Sequence, residues 1–388
     1  MARPEGLREH VPLAPLTTLG VGGPARWYLE VETGEAAAEA LAWARGEGIA
    51  VVVLGGGSNV LVADRGVDAL VLRPLLRGVE LEQVEGRAEG ARVRVRAGAG
   101  ESWDALVERA VEEGWAGLEC LSGIPGYVGA TPIQNVGAYG QEVAETIVDV
   151  RCIDRVTGTV VTLSKEACRF AYRDSVFKRE AKERFLVLEV VFELRVGGAA
   201  AVRYPELERR LAELRRSTDA AAPSLAAVRQ VVIELRRRKS MVIDDSDPNH
   251  RSAGSFFMNP IVDDGDVEAV RERARSLAGG DVAQMPAFPV LDETGARTGR
   301  TKLAAGWLIE RAGFAKGAGT GNVGLSSRHA LAVVNRGGAT AVELLAFAAE
   351  VRRGVGERLG VWLQPEPVLL GFTPDERSML GLGRTVRC

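Results

Sequence analysis

The chain has 388 residues, 46% of them hydrophobic and 26% charged, with a mean hydropathy of +0.01, a globular profile with room for two or three domains. A net charge of −3 excludes a broad basic field for nucleic acid or anionic membrane, and no apolar run approaches the roughly 20 residues of a membrane span. The N-terminal MARPEGLREHVPLAP lacks the apolar core of a signal peptide, and Cys120, Cys152, Cys168 and Cys388 show no metal-ligand spacing; a cytoplasmic chain without a metal is expected.

In chain order, Thr17 to Gly23 reads as a glycine-containing turn, followed by the alternating strand ARWYLEV. Glu35 to Gly48 is Ala-rich and helix-forming, and Ala50 to Leu54 is a short buried strand running into Gly55-Gly56-Gly57-Ser58-Asn59, after which VLVAD resumes strand character. Arg92 to Ala97 predicts a strand, and Glu101 to Glu113 a helix with Trp103, Leu106, Val107, Ala110 and Val111 on its buried face. Asp149 to Asp154 and Thr159 to Leu163 predict a hairpin, and Phe185 to Leu194 is the strongest strand signal. Helices are expected at Pro205 to Arg216 and Ser224 to Arg238. The polar DDSDPN at 244–249 marks a domain boundary. Beyond it come a Ser-Phe-Phe turn, a helix from Asp266 to Leu277, a Pro-containing loop from Met285 to Val290 and a helix from Leu303 to Arg311. The strand ALAVVN, a helix from Thr340 (its N-cap) to Leu359 and the strand VWLQPEPVLLG close the chain. The class is α+β.

Two glycine-rich loops organise the rest. Ser122 to Glu142, SGIPGYVGATPIQNVGAYGQE, mixes Gly with Pro, Ile, Val, Tyr and Asn, unlike a Gly/Ser linker. It is either a tight packing corner or an ordered loop that wraps something flat. GGGSN offers several backbone N–H groups on a concave turn, which suits a diphosphate. It is not a P-loop, since no Gly-Lys-Ser/Thr follows, and not a Rossmann fingerprint, since the chain continues as a strand. A dinucleotide held by another fold is the reading.

TTLGVGGPA (17–25), VLGGGSNVLVAD (53–64), GLECLSGIPGYVGATPIQNVGAYGQEV (117–143), FAYRDSVFK (170–178), GSFFMNP (254–260), LAAGWLIERAGF (303–314), RHALAVVNRGGAT (328–340) and QPEPVLLG (364–371) together resemble the UDP-N-acetylenolpyruvoylglucosamine reductase (MurB) family, in family order and over nearly the whole chain. The resemblance implies a two-part FAD-binding fold of the PCMH or vanillyl-alcohol-oxidase-like kind plus a C-terminal α+β substrate domain. The implied division is 1–74 plus 367–388, 75–240, and 241–366. It places FAD on Gly55, Gly56, Gly57, Ser58, Asn59, Ser122, Gly123, Ile124, Gly129 and Ala130. His10, His250 and His329 all lie outside both loops, so the flavin is expected to be non-covalent.

The implied reaction reduces the enol ether of UDP-N-acetylglucosamine enolpyruvate with NADPH, FAD relaying hydride to C3 while negative charge builds at C2 until C2 is protonated. It requires a fixed cation, a proton donor and a partner for the donor. By resemblance these are Arg173, Ser255 and Glu366. Without it, Arg173 reads as an ion-pair residue, Ser255 as a turn residue, and Glu366 between two prolines as a carboxylate needing a partner. Tyr204, Lys239 and Asn259 match substrate contacts, Tyr204 as in the subgroup with a tyrosine loop. The sequence reads KSMVID where many members read K-x-P-D, which loosens the register of Lys239, a residue otherwise read as a solvated helix end. The tail after Gly371 matches nothing in the family. A monomer is expected. The rivals are an oxidase of the same fold acting on another substrate and an inactive UDP-sugar-binding protein.

Overall fold

The computed structural model describes residues 2–82, 91–215, 223–277, 285–292 and 294–382; Cys388 and the end of the tail lie outside them. The chain packs as two compact units. Unit 1 comprises Met1–Val11, Ala25–Gly57 and Asp68–Ile243; unit 2 comprises Pro12–Pro24, Ser58–Val67 and Asp244–Cys388. The passage from one to the other at Ile243–Asp244 falls at the start of DDSDPN.

Among its described residues unit 1 carries two larger sheets and the short antiparallel pair Gly137–Ala138 and Gln141–Glu142. In the first the order is Arg8–Pro12, Pro24–Val31, Val67–Pro74, Val51–Val53, the last two parallel. In the second it is Val160–Ser164, Ile147–Asp154, Phe185–Val196, Arg92–Gly98, Val79–Glu82. Phe185–Val196 is central because it is buried almost continuously on both faces and both neighbours pair with it antiparallel. The expected hairpin forms between Ile147–Asp154 and Val160–Ser164. Among its described residues four α-helices cover this unit: α1 (Gly34–Gly46), α2 (Trp103–Glu112), α3 (Pro205–Arg215) and α4 (Leu225–Arg238). α2, capped by Ser102, buries Trp103, Leu106, Val107 and Ala110 against Val95, Val190 and Phe192.

Unit 2 is built from α5 (Asp266–Leu277), α6 (Ala305–Arg311), α7 (Ala341–Leu359) and α8 (Pro374–Met379) around a single core. Thr340 caps α7 in a capping box with Glu343, as its position predicts. Three expectations change. The loop expected at 285–290 holds a strand, Ala287–Leu291, because it lies at the edge of a three-stranded sheet, where Pro289 breaks no inner ladder. The helix expected from Leu303 begins at Ala305, since Leu303 ends the strand Arg297–Leu303. Of VWLQPEPVLLG only Val368–Leu370 is strand, because Pro365 and Pro367 lack N–H donors; it pairs parallel with Val60–Val62. α8, capped by Thr373 and Glu376, lies in the tail that sequence reading left blank.

Candidate active site

In unit 1 the strand Val51–Val53 delivers the chain into Gly55, Gly56 and Gly57. Leu54 N–H still bonds to Leu72 O at 3.0 Å, but among the described residues the N–H groups of these three glycines find no acceptor. Gly56 lies on the second loop so closely that a Cβ there would stand 2.8 Å from Gly126 Cα, and Gly57 turns at φ +67°. Consecutive open N–H groups on such a turn fit the diphosphate of FAD. Gly129 and Ala130 differ: their N–H groups are taken by Ala99 O and Tyr127 O, and Gly129 is small because Ala99 Cβ would meet its Cβ at 2.6 Å. They lend surface rather than donors.

Ser122 is buried with its hydroxyl donating to Glu119 O (2.7 Å). Gly123, at φ +71°, donates its N–H to Asp104 Oδ1 (2.6 Å), and its carbonyl accepts from Arg236 Nε (3.2 Å). Arg236 is 8% exposed and also donates to Met241 O (2.7 Å). Burial lowers its pKa, opposed by the neighbouring Tyr139 and Asp104. Ile124 packs partly buried against the core of this unit. Sequence reading missed Arg236 and Asp104. The signal was there: Arg229 and Arg236 stand seven apart among the apolar positions Leu225, Val228, Val232 and Leu235 of α4, on its inward face.

Arg173 sits in the left-handed region at φ +54°, donating to Gly137 O from Nη2 (2.7 Å) and to Asn135 O from Nη1 (3.5 Å). Tyr204 and Lys239 are brought together around Tyr139: the two tyrosine rings meet edge-on at 5.5 Å and the Lys239 ammonium stands 5.8 Å from the Tyr139 ring. Lys239 Nζ is held by Glu206 Oε2 at 2.6 Å. Lys239 is therefore the C-cap of α4 facing a side-chain cluster.

In unit 2, Asn59, Ser255 and Glu366 lie on adjoining segments. Glu366 N–H donates to Phe256 O (2.8 Å), Phe257 bridges Pro365, and Asn59 Nδ2 donates to Glu366 O (3.3 Å). Ser58 O accepts from Thr18 Oγ1 at 3.4 Å. The rings of Phe256 and Phe257 are buried edge-to-face at 5.2 Å and fix the backbone on either side of the half-buried Ser255. Among the described residues the Ser255 hydroxyl makes no hydrogen bond, which leaves its proton available. Asn259 Oδ1 accepts the N–H of Ala305 at the start of α6 (2.9 Å). Among the described residues no group of three His, Cys, Asp or Glu could hold a metal ion, and no helix is long and apolar enough to cross a membrane.

Residues 247–370 match the profile of the UDP-N-acetylenolpyruvoylglucosamine reductase C-terminal domain, and residues 25–164 that of an FAD binding domain. The UDP-N-acetylenolpyruvoylglucosamine reductase of Thermobifida fusca is 46% identical over 94% of this chain and 98% of its own length; that of Saccharopolyspora erythraea is 48% identical over 92% and 94%. The chain belongs to the UDP-N-acetylenolpyruvoylglucosamine reductase family. The crystal structure of MurB from Thermus caldophilus superposes with a TM-score of 0.60 at 26% identity, covering 94% of this chain and 99% of that one. The fold is the α+β, two-part FAD-binding fold of this family.

Proposed function

We propose that this member of the MurB family reduces the enolpyruvyl ether of UDP-N-acetylglucosamine enolpyruvate to UDP-N-acetylmuramate with NADPH, in peptidoglycan precursor synthesis. The observation that carries the reading is end-to-end likeness to named reductases, with an FAD-binding domain in the same chain. Bound non-covalently, FAD would supply the hydride chemistry that links NADPH to C3 of the enol ether. The protein's own residues do the rest. Gly55 to Asn59 hold the diphosphate, and Ser122 to Ile124 with Gly129 and Ala130 form a surface for the ring system.

Arg173 supplies a permanent, bidentate positive charge for the substrate carboxylate as negative charge builds at C2. Ser255 delivers the proton to C2 from a hydroxyl that nothing else occupies, and Glu366, one hydrogen bond along the backbone from Phe256, assists it. Lys239, Tyr204 and Asn259 hold the UDP portion; a diphosphate carries more charge than the Glu206 carboxylate and displaces it from Lys239. A cytoplasmic location and a monomeric state complete the reading.

The purified protein is expected to be yellow and to consume NADPH only when the enol ether is present. A colourless protein that binds the UDP-sugar would replace this reading with an inactive binding protein, and steady NADPH consumption with oxygen alone would replace it with an oxidase.

A further inference from the structure

In the loop in front of Arg173 the side chain of Asn135 makes ties in two directions. It is 1% exposed and sits at φ +45°. Its Nδ2 donates to Glu142 Oε2 (2.6 Å) and to Ala171 O (3.0 Å), while its Oδ1 accepts the N–H of Ala144 (3.1 Å). A single amide thus ties the turn at 135–144 to Ala171, two residues before Arg173. The carbonyls that receive the Arg173 guanidinium are those of Asn135 itself and Gly137. Arg173 stands in a closed turn in which Ala171 and Asp174 exchange backbone hydrogen bonds (3.0 and 3.1 Å), and Lys178 Nζ donates to its carbonyl (3.0 Å). Two side-chain-bearing residues in the left-handed region persist only where their surroundings over-determine them, and such strain gathers at functional sites.

We propose that Asn135 is a positioning residue for Arg173: by tying the turn that carries both acceptor carbonyls to the closed turn that carries Arg173, it sets the direction of the guanidinium in the ground state. The proposal rests on the reading of Arg173 as the charge-stabilising cation. An arginine aimed in advance costs no reorganisation when charge develops. A buried amide with three partners is well suited to aim it, because any rotation leaves a buried polar group unsatisfied.

The test is Asn135→Asp, which puts a second carboxyl oxygen against Glu142. Two carboxyl groups at that distance ionise in separate steps: they share a proton at low pH, and both ionise and repel at high pH. The charged groups around the pair are Arg173, Lys178, Glu145 with its partner Arg203, and Asp174 with its partner Arg179. Flavin content and the rate of flavin reduction by NADPH are expected to stay close to the parent. Flavin reoxidation by the enol ether, taken as a ratio to the parent, should fall about 10- to 100-fold near pH 8, the cost of a small misplacement, and recover toward about pH 5.5. Asn135→Ala, which has no proton to share, should be slow at every pH.

Loss of the same size at every pH for Asn135→Asp, or equal loss in both half-reactions, would make Asn135 merely structural and overturn the proposal. Arg173→Ala separates the two levels. If it leaves reoxidation untouched, the assignment of Arg173 fails; if it slows reoxidation while Asn135→Asp matches the parent throughout, only the positioning role fails.

Discussion

Ser255 is the residue whose role isolates best. Its neighbours Phe256 and Phe257 are buried and anchored, Phe256 through its N–H to Leu331 O (2.7 Å), so a change at the hydroxyl leaves the backbone where it is. Ser255→Ala is therefore expected to bind FAD and accept hydride from NADPH at the parental rate. Protonation at C2 should slow by about 10²- to 10⁴-fold, the usual size of a general-acid contribution. Rapid-mixing absorbance of the two half-reactions checks this, and equal slowing in both moves Ser255 out of the proton-transfer step. At this scale the sequence shows which residues to look at but not what holds them. Ser255 stands out in GSFF because a small hydroxyl between a glycine and two large apolar residues is unusual. Asn135 and Arg236 do not stand out, because each depends on a carbonyl distant in the chain, Ala171 O for Asn135 and Gly123 O for Arg236.

Among elements, α2 and α4 are joined through a clamp that also carries the second glycine-rich loop. Arg229 reaches across from α4 with Nη1 to Asp104 Oδ1 (2.6 Å) and Nη2 to Oδ2 (3.1 Å), and also to Glu108 (3.0 Å), while the same Asp104 oxygen takes the Gly123 N–H. Burial pushes the Asp104 carboxyl up, but the Arg229 and Gly123 hydrogen bonds outweigh it and hold the pKa below the ordinary value. The sign follows. A depressed folded pKa gives stability that is present above the unfolded value, near 3.9 for Asp, and is lost as pH falls through the folded one. Flavin retention, followed by fluorescence of released FAD, should be flat from neutral pH down to about 4 and fall below it. Asp104→Asn should weaken retention at neutral pH and remove this part of the acid dependence; an unchanged acid limb would show that the clamp does not govern the loop. Both helices were legible from their apolar spacing, but not the clamp: Asp104 and Arg229 lie 125 residues apart and each reads alone as a surface charge. The strand Ala287–Leu291 was hidden for a similar reason, since a proline argues against a strand until the sheet shows it at an edge.

For the molecule as a whole, the glycine-rich GGGSN is where the chain leaves unit 1 for unit 2, between Gly57 and Ser58, and DDSDPN is where it leaves again for good. A polar break with aspartates and a proline is visible in a sequence. That Pro12–Pro24 and Ser58–Val67 belong with the C-terminal third is not, because only long-range packing assigns them. Leu19, Val21, Leu61 and Ala63 lie in the same core as Phe256, Leu308, Leu344 and Val355. Val60–Val62 is the partner strand of Val368–Leu370, Asn335 Nδ2 donates to Leu19 O (2.9 Å), and Asp64 accepts the N–H groups of Ala341 and Val342 (2.7 and 3.0 Å) at the head of α7. A fragment beginning at Asp244 would lose all of these at once. Burial of each large apolar side chain contributes about 1.5–3 kcal/mol, so the loss of Leu19, Val21 and Leu61 alone is of the order of a domain's whole margin of about 5–15 kcal/mol. The fragment 244–388 should therefore show no cooperative unfolding transition by circular dichroism, although it spans the whole of the matched C-terminal domain. A sharp, two-state melt from that fragment would mean that the two N-terminal segments are accessory to the core of unit 2 rather than part of it.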